Sequence, residues 1–223
     1  MNLMDKRAML VLATGNRGKS HEIRKYLEEF PIDISDLNDF GPIPQVVEDG
    51  DTFEENAYKK AAFVARVLGF PALADDSGLE VEALGGTPGV YSARYAGPSA
   101  TDAENNAKLI AALEGTANRK ARFSCVLSLA VPAGHALTYE GACEGTILHV
   151  PRGAGGFGYD PLFYYPPMGK TFAEMTVEEK TSVSHRGRAL QGLRQEFEKV
   201  LVWIEQRGKE EDYRRGKGDI CLR

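Results

Sequence analysis

Residues 121–131 (ARFSCVLSLAV) and 136–150 (ALTYEGACEGTILHV) are two β-rich runs separated only by PAGH. So short a connection makes them an antiparallel hairpin of long strands, and the rest of the fold has to be built onto that ribbon. Helical segments alternate with strands on both sides of it. AMLVLA at 8–13 is a short strand that runs into TGNRGKS, and KSHEIRKYLEEF carries helical spacing through Ile23, Tyr26, Leu27 and Phe30. A second helix begins at DGDTFEENAYKKAAFVARVLGFP: Thr52 and Glu55 form a capping box, Phe53, Ala57, Ala61, Val64 and Leu68 share a face, and Gly69 with Pro71 ends it. Thr101 and Glu104 open another helix that runs to about Leu113, PLFYYP reads as a strand, and Ser184 starts a last helix with Leu190, Leu193, Phe197 and Leu201 on its apolar face. Crossover and hairpin connections in one chain predict an α/β fold with a mixed, twisted sheet of long strands flanked by helices.

A chain of 223 residues, 43% hydrophobic, can bury a sizeable core as one domain or two closely packed lobes. We expect a single domain over 1–206 and a frayed, flexible tail over 207–223, QRGKEEDYRRGKGDICLR being aperiodic. The net charge of −5 excludes broad coating of nucleic acid, which needs a clustered basic surface. Cys125, Cys143 and Cys221 occur singly without metal-ligand spacing, as in a reduced cytoplasmic protein without disulfides. The apolar run at 8–13 is too short for a signal sequence, and no segment approaches a membrane span.

Four stretches carry unusual chemistry. TGNRGKS offers backbone N–H groups, a helix N-terminus and the Lys19 ammonium, all suited to phosphate, although it lacks the Walker A spacing and a glycine-rich turn is also a common structural device. In ADDSG, Asp75 and Asp76 follow an apolar run. Such a pair either sits solvated at an exposed strand end or holds a cation, and Mg²⁺ takes one or two carboxylates plus water and phosphate oxygens. Asp76 could then also accept a proton from water. Glu48 precedes the TFEENA helix and could converge with Asp76 on one metal ion, whereas Glu55 to Lys59 reads as an ordinary i,i+4 pair. In GAGGFGYDP, glycines around Phe157 let the backbone approach an aromatic ligand while the ring stacks on it, and Asp160 is an acceptor or a turn former. Lys180, His185 and Arg186 add donors beside a helix start.

TGNRGK at 14–19, TFEENAYKKA at 52–61, ADDSGLEVEALGGTPGVYSARYAG at 74–97, GFGYDP at 156–161 and SHRGRAL at 184–190 together resemble the inosine triphosphate pyrophosphatase family, in its bacterial branch. The motifs run in the family's order from about residue 9 to 204. The resemblance implies two lobes around a central nucleotide cleft and a homodimeric, Mg²⁺-dependent enzyme. Such an enzyme converts XTP, ITP and dITP to the monophosphate and pyrophosphate, keeping deaminated purines out of DNA and RNA. By position, Thr14, Gly15, Asn16, Arg17, Gly18 and Lys19 would bind the triphosphate, and Asp76 would be proton acceptor and metal ligand, with Glu48 as a second metal ligand. Ser77 would touch the substrate, while Phe157, Gly158, Tyr159, Asp160, Lys180, His185 and Arg186 would line the nucleoside slot. Donors such as His185 and Arg186 would accept a 6-oxo purine and be left unpaired by adenine. Two other readings stay open on the residues alone: a pyrophosphatase for a modified pyrimidine triphosphate, and a nucleotide sensor without hydrolysis, for which loss of Asp76 or Lys19 would be expected.

Overall fold

The computed structural model describes residues 8–44 and 46–218. The predicted hairpin is its spine: β4 (Lys120–Ala130) pairs antiparallel with β5 (Ala136–Ile147), in a register running from Lys120 opposite Thr146 to Ala130 opposite Ala136. β5 ends at Ile147, three residues short of the expected run, although the Leu148 N–H still reaches the Leu162 carbonyl in the register of the β5–β6 pair. β1 (Ala8–Leu12), β2 (Ile32–Asp36), β3 (Ala72–Val81), β6 (Phe163–Tyr165) and β7 (Lys170–Thr171) complete a seven-stranded mixed sheet of order β2-β1-β3-β4-β5-β6-β7. Of PLFYYP only the last three residues before the second proline are strand.

The helices take their sides from the strand alternation. α1 (Arg17–Leu27) buries Ile23 and Leu27 with Leu10, Leu12, Leu73, Leu127 and Leu129 on one face of the sheet. α2 (Phe53–Leu68) packs Ala61, Val64 and Ala65 with Val11, Ala13, Ala72 and Ala74 on the other. The chain goes from β1 outward to β2 and then back across β1 to β3, so α1 and α2 fall on opposite faces and a crevice opens beyond the carboxyl end of β1. β1 pairs with β3 only at Val11–Ala72 and Leu12–Leu73, while β3 continues for eight residues more along β4. α3 (Asp102–Ala112) starts on the expected Thr101–Glu104 capping box. With β6, β7 and the far half of β3–β5 it encloses a second core of Leu79, Leu109, Phe123, Phe163 and Phe172. The long strands thus run through two lobes.

Several local expectations change. Thr52 caps α2, but the Glu55 carboxylate accepts the Asp51 N–H instead of closing the box. Lys59 pairs with Asp49 at 2.8 Å in place of Glu55, since the Asp49 loop folds back along the helix. A short helix, α4 (Val177–Val183), carries Lys180 and precedes α5 (His185–Gln195), which Ser184 caps. The last helix is therefore two. α5 breaks at Glu196 and α6 (Phe197–Gly218) follows, packing Phe197 and Val200 on the α1 face. The segment expected to be aperiodic continues that helix to Gly218, and residues 219–223, with Cys221, lie outside the described residues. Cys125 and Cys143 are buried free thiols. Among the described residues no helix is long and apolar enough to cross a membrane.

Candidate active site

Asp75 and Asp76 do not end a strand. They sit in the middle of β3, opposite Leu127 and Val126 of β4, and are 1% and 7% exposed. The backbone ladder holds them there and nearby cations replace the water their carboxylates lose. Successive side chains point to opposite faces, which gives the two aspartates different partners. Asp75 meets Lys19 Nζ at 2.5 Å and Arg186 Nε at 2.7 Å, and accepts the Ser77 hydroxyl at 2.8 Å and the Cys125 thiol at 3.1 Å. Burial works against its ionisation, but Arg186 and Lys19 hold its carboxyl well below the usual range. It is a permanent counter-ion.

Asp76 faces α2. Lys60 Nζ donates to its Oδ1 at 2.6 Å, to Glu48 Oε2 at 3.1 Å and to the Asp75 carbonyl at 2.9 Å. Here burial outweighs the ammonium, and the Asp76 carboxyl is pushed up to about 6. Two carboxylates that converge on one ammonium could also converge on a metal ion. No group of three or more His, Cys, Asp or Glu stands ready to hold a metal among the described residues, so this is an open, two-carboxylate donor set. Such a set fits Mg²⁺, which keeps waters and takes phosphate oxygens.

The first loop ends in an ordinary cap with an unusual neighbour. Asn16 accepts the Lys19 N–H at 3.1 Å, and Thr14 Oγ1 accepts the Asn16 N–H at 3.1 Å. Arg17 and Gly18 are then the first-turn N–H groups that no helical carbonyl can reach. Gly18 lies against Phe157, whose Cδ1 would be 2.5 Å from any Cβ placed there, so only glycine allows the aromatic loop to touch the start of α1. Thr14, Gly15, Asn16 and Lys19 line a cleft of about 760 Å³ together with Glu48, Lys60, Asp75, Asp76 and Arg94; the Arg17 side chain is exposed and lines neither this cleft nor the slot beside it.

That slot, about 100 Å³, is lined by Phe157, Tyr159, Asp160, Lys180, His185 and Arg186. Asp160 proves to be both acceptor and turn former: it takes the Phe157 N–H at 2.9 Å and meets Lys180 Nζ at 2.5 Å. Gly158 is gripped from α3, its N–H by Asp102 at 2.7 Å and its carbonyl by Asn106 at 2.9 Å. The His185 ring stacks on Phe123, centroids 4.6 Å apart. Burial and then Arg186 hold its pKa well below the usual 6.5, so it is a neutral imidazole, and Nδ1 has no partner among the described residues. Arg186 differs from the expected reader. All three of its guanidinium nitrogens already donate: Nε to Asp75, Nη1 to Glu22 at 2.5 Å and Nη2 to Ser77 at 3.1 Å.

Glu22, which the sequence reading passed over, completes a ladder of alternating charge. Lys19, Asp75, Arg186, Glu22, Lys180 and Asp160 follow one another at 2.5, 2.7, 2.5, 2.9 and 2.5 Å. It runs from the first loop to the aromatic loop. Lys60 was given no role either, although it stands in the quoted TFEENAYKKA motif; its side chain on α2 is 12% exposed against 41% for its neighbour Lys59.

Slot and cleft adjoin, with Asn16, Lys19, Ser77 and Ala93 lining both. The layout defines a class: a mixed α/β protein shaped for an elongated ligand with an aromatic end and an anionic end. The chain belongs to the Ham1 family, whose model matches residues 10–196. It is 69% identical over 216 residues to a dITP/XTP pyrophosphatase of Syntrophobacter fumaroxidans, covering 96% of this chain and 93% of the relative. That alignment is longer than the expected 206-residue domain and so takes in part of the C-terminal helix. A dITP/XTP pyrophosphatase of Thermus thermophilus is 58% identical over 186 residues, 82% of this chain and 89% of its own. Among solved structures, a HAM1 protein from Coxiella burnetii superposes with a TM-score of 0.79 at 43% identity, covering 86% of this chain and 99% of that one. The Staphylococcus aureus Ham1 protein gives 0.77 at 39%, with the same coverage.

Proposed function

We infer that the chain is a nucleoside triphosphate pyrophosphohydrolase that cleaves XTP, ITP and dITP to the monophosphate and pyrophosphate, keeping deaminated purines out of DNA and RNA. The observation that carries this reading is that the aromatic slot adjoins the acidic cleft across Lys19 and Ser77, which line both. A base in the slot leaves the ribose and α-phosphate at those shared residues and the remaining phosphates in the cleft beside Asp76.

Lys19, with the first-turn N–H groups of α1, faces charge that develops on the leaving pyrophosphate. Asp76, whose carboxyl titrates near 6, is ionised at neutral pH and accepts the proton of the attacking water. The cleft is lined by three cations, Lys19, Lys60 and Arg94, and three anions, Glu48, Asp75 and Asp76. Its walls therefore cannot neutralise a triphosphate alone, which supports a divalent cation held by Asp76 and Glu48. Mg²⁺, when bound, supplies that charge and acidifies water. Lys60 would then cede part of its hold on both carboxylates.

Base selectivity follows from groups that cannot adapt. Neutral His185, locked by stacking on Phe123, offers its ring donor to a 6-oxo group and would be left unpaired and buried by adenine, a mismatch worth ~10⁴ in the best cases. Arg186 contributes by fixing Asp75, Glu22 and Ser77. We also propose that the enzyme is a cytoplasmic homodimer: the buried free thiols of Cys125 and Cys143 support a reducing compartment, and light scattering should give about twice the 24.4 kDa chain mass.

Pyrophosphate release from ITP, XTP, dITP, GTP, ATP and dTTP, with Mg²⁺ and with chelator, tests the whole. Release confined to ITP, XTP and dITP and abolished by chelator is expected. Release mainly from dTTP would overturn the base assignment, and none from any would make the protein a sensor.

A further inference from the structure

Of the three cations lining the cleft, two are already committed. Lys19 is paired with Asp75, and Lys60 with Asp76 and Glu48. Arg94 has no carboxylate partner among the described residues; its polar contact is one donation from Nη2 to the Glu48 carbonyl at 3.1 Å, and its guanidinium lies 5.1 Å from the Tyr91 ring centroid. Its place is built, not incidental. It ends a 3₁₀ turn, Gly89–Arg94, that lies against β3 because Gly78 has no side chain: a Cβ there would meet the Gly89 carbonyl oxygen at 2.3 Å. Ser92 in that turn takes the Leu79 N–H at 2.8 Å and its own carbonyl takes the Tyr159 hydroxyl at 2.8 Å, which pins the turn to both the strand and the slot.

The position of Arg94 along the cavity is also informative. Asn16, Lys19 and Ser77 belong to slot and cleft alike, whereas Arg94, like Asp76 and Lys60, lines the cleft alone. A nucleotide seated base-first presents the β- and γ-phosphates, not the nucleoside, to that end. We propose that Arg94 is a binding residue for the pyrophosphate moiety, gripping the terminal phosphates with the guanidinium edge that the Glu48 contact leaves free. A planar fork suits two phosphate oxygens as a lone ammonium does not. The same side chain, through the Glu48 carbonyl, ties the phosphate end of the cleft to the loop that carries a candidate metal ligand. The inference rests on reading the cleft as the triphosphate site.

Product inhibition of ITP hydrolysis separates the two ends of the ligand, with pyrophosphate and IMP as probes on the intact enzyme. Arg94→Gln keeps a donor for the Glu48 carbonyl and removes the charge; Arg94→Lys keeps the charge and removes the fork. The expected result is an inhibition constant for pyrophosphate raised about 10- to 100-fold in Arg94→Gln, less in Arg94→Lys, with that for IMP unchanged and the melting temperature within a few degrees of wild type. An unchanged pyrophosphate constant would overturn the proposal, and so would equal weakening of both products, which would mean that Arg94 only supports the Glu48 loop. Lys19→Ala is the control on the underlying reading. If it too leaves pyrophosphate inhibition intact, the cleft is not the triphosphate site; if it weakens pyrophosphate while Arg94→Gln does not, only the role of Arg94 fails.

Discussion

Asp75 and Asp76 are adjacent in sequence, chemically identical and opposite in duty. One faces Arg186 and Lys19 and stays ionised under all ordinary conditions; the other faces Lys60 and Glu48 in a setting that resists its charge. Asp76→Asn should therefore lower turnover of ITP about 10²- to 10⁴-fold while leaving the fold intact, as read by pyrophosphate release beside a circular dichroism melt. The same variant should lose most of the thermal stabilisation that millimolar Mg²⁺ gives the wild type, because binding linked to folding disappears with the ligand. Retention of either property would remove Asp76 from the mechanism. The unusual nature of this pair was legible in the sequence, but not the division of labour. A two-residue motif does not say which face of a strand each side chain takes until the strand's partners are known, and Arg186 stands 111 positions away.

At the scale of elements, Glu22 on α1 binds Lys180 of α4 and Arg186 of α5, so one carboxylate holds three helices at the slot. Burial opposes its charge, yet Arg186 and Lys180 together hold its carboxyl below the usual 4.5. A depressed carboxylate contributes stability above its unfolded pKa and loses it as the pH falls through the folded one. Glu22→Gln should thus cost about 3 kcal/mol in urea denaturation near pH 7, because two buried cations each lose one of their two carboxylate partners, and the gap to wild type should narrow steadily below about pH 4.5. A gap that is constant with pH would mean that packing, not charge, is what the substitution disturbs. Local pattern revealed most of the elements themselves: the hairpin, the Thr101–Glu104 box and the Gly69 stop all stand as their residues suggest. α4 and the break at Glu196 did not announce themselves. α4 is seven residues, too short for a clear period, and the apolar positions on either side of Glu196 keep nearly the same helical spacing.

For the molecule as a whole, the two lobes share β3, β4 and β5, and the C-terminal helix closes the α1 face with Phe197, Val200, Leu201, Trp203 and Ile204. These contacts end before residue 206. A chain stopped after Gln206 should keep its melting temperature to within a few degrees and its activity in full, whereas one stopped after Gln195 should lose the fold, since Phe197 and Val200 are each 2% exposed. Loss of activity in the chain stopped after Gln206 would assign the residues beyond it a role in the reaction. Sheet order and lobe boundary were beyond the sequence reading for a physical reason: they depend on which strand edges meet, and edges carry no residue code of their own.

The charge ladder from Lys19 to Asp160 has a consequence for how such a protein can change. Its four inner members each serve two neighbours of opposite sign, so a single charge reversal turns two buried attractions into repulsions at once. Substitution by ones is closed to it. Drift within this row would have to proceed by matched exchanges, and a designer who wants a different base in the slot would do better to alter the uncharged walls, Phe157, Tyr159 and Phe123, than the ions behind them.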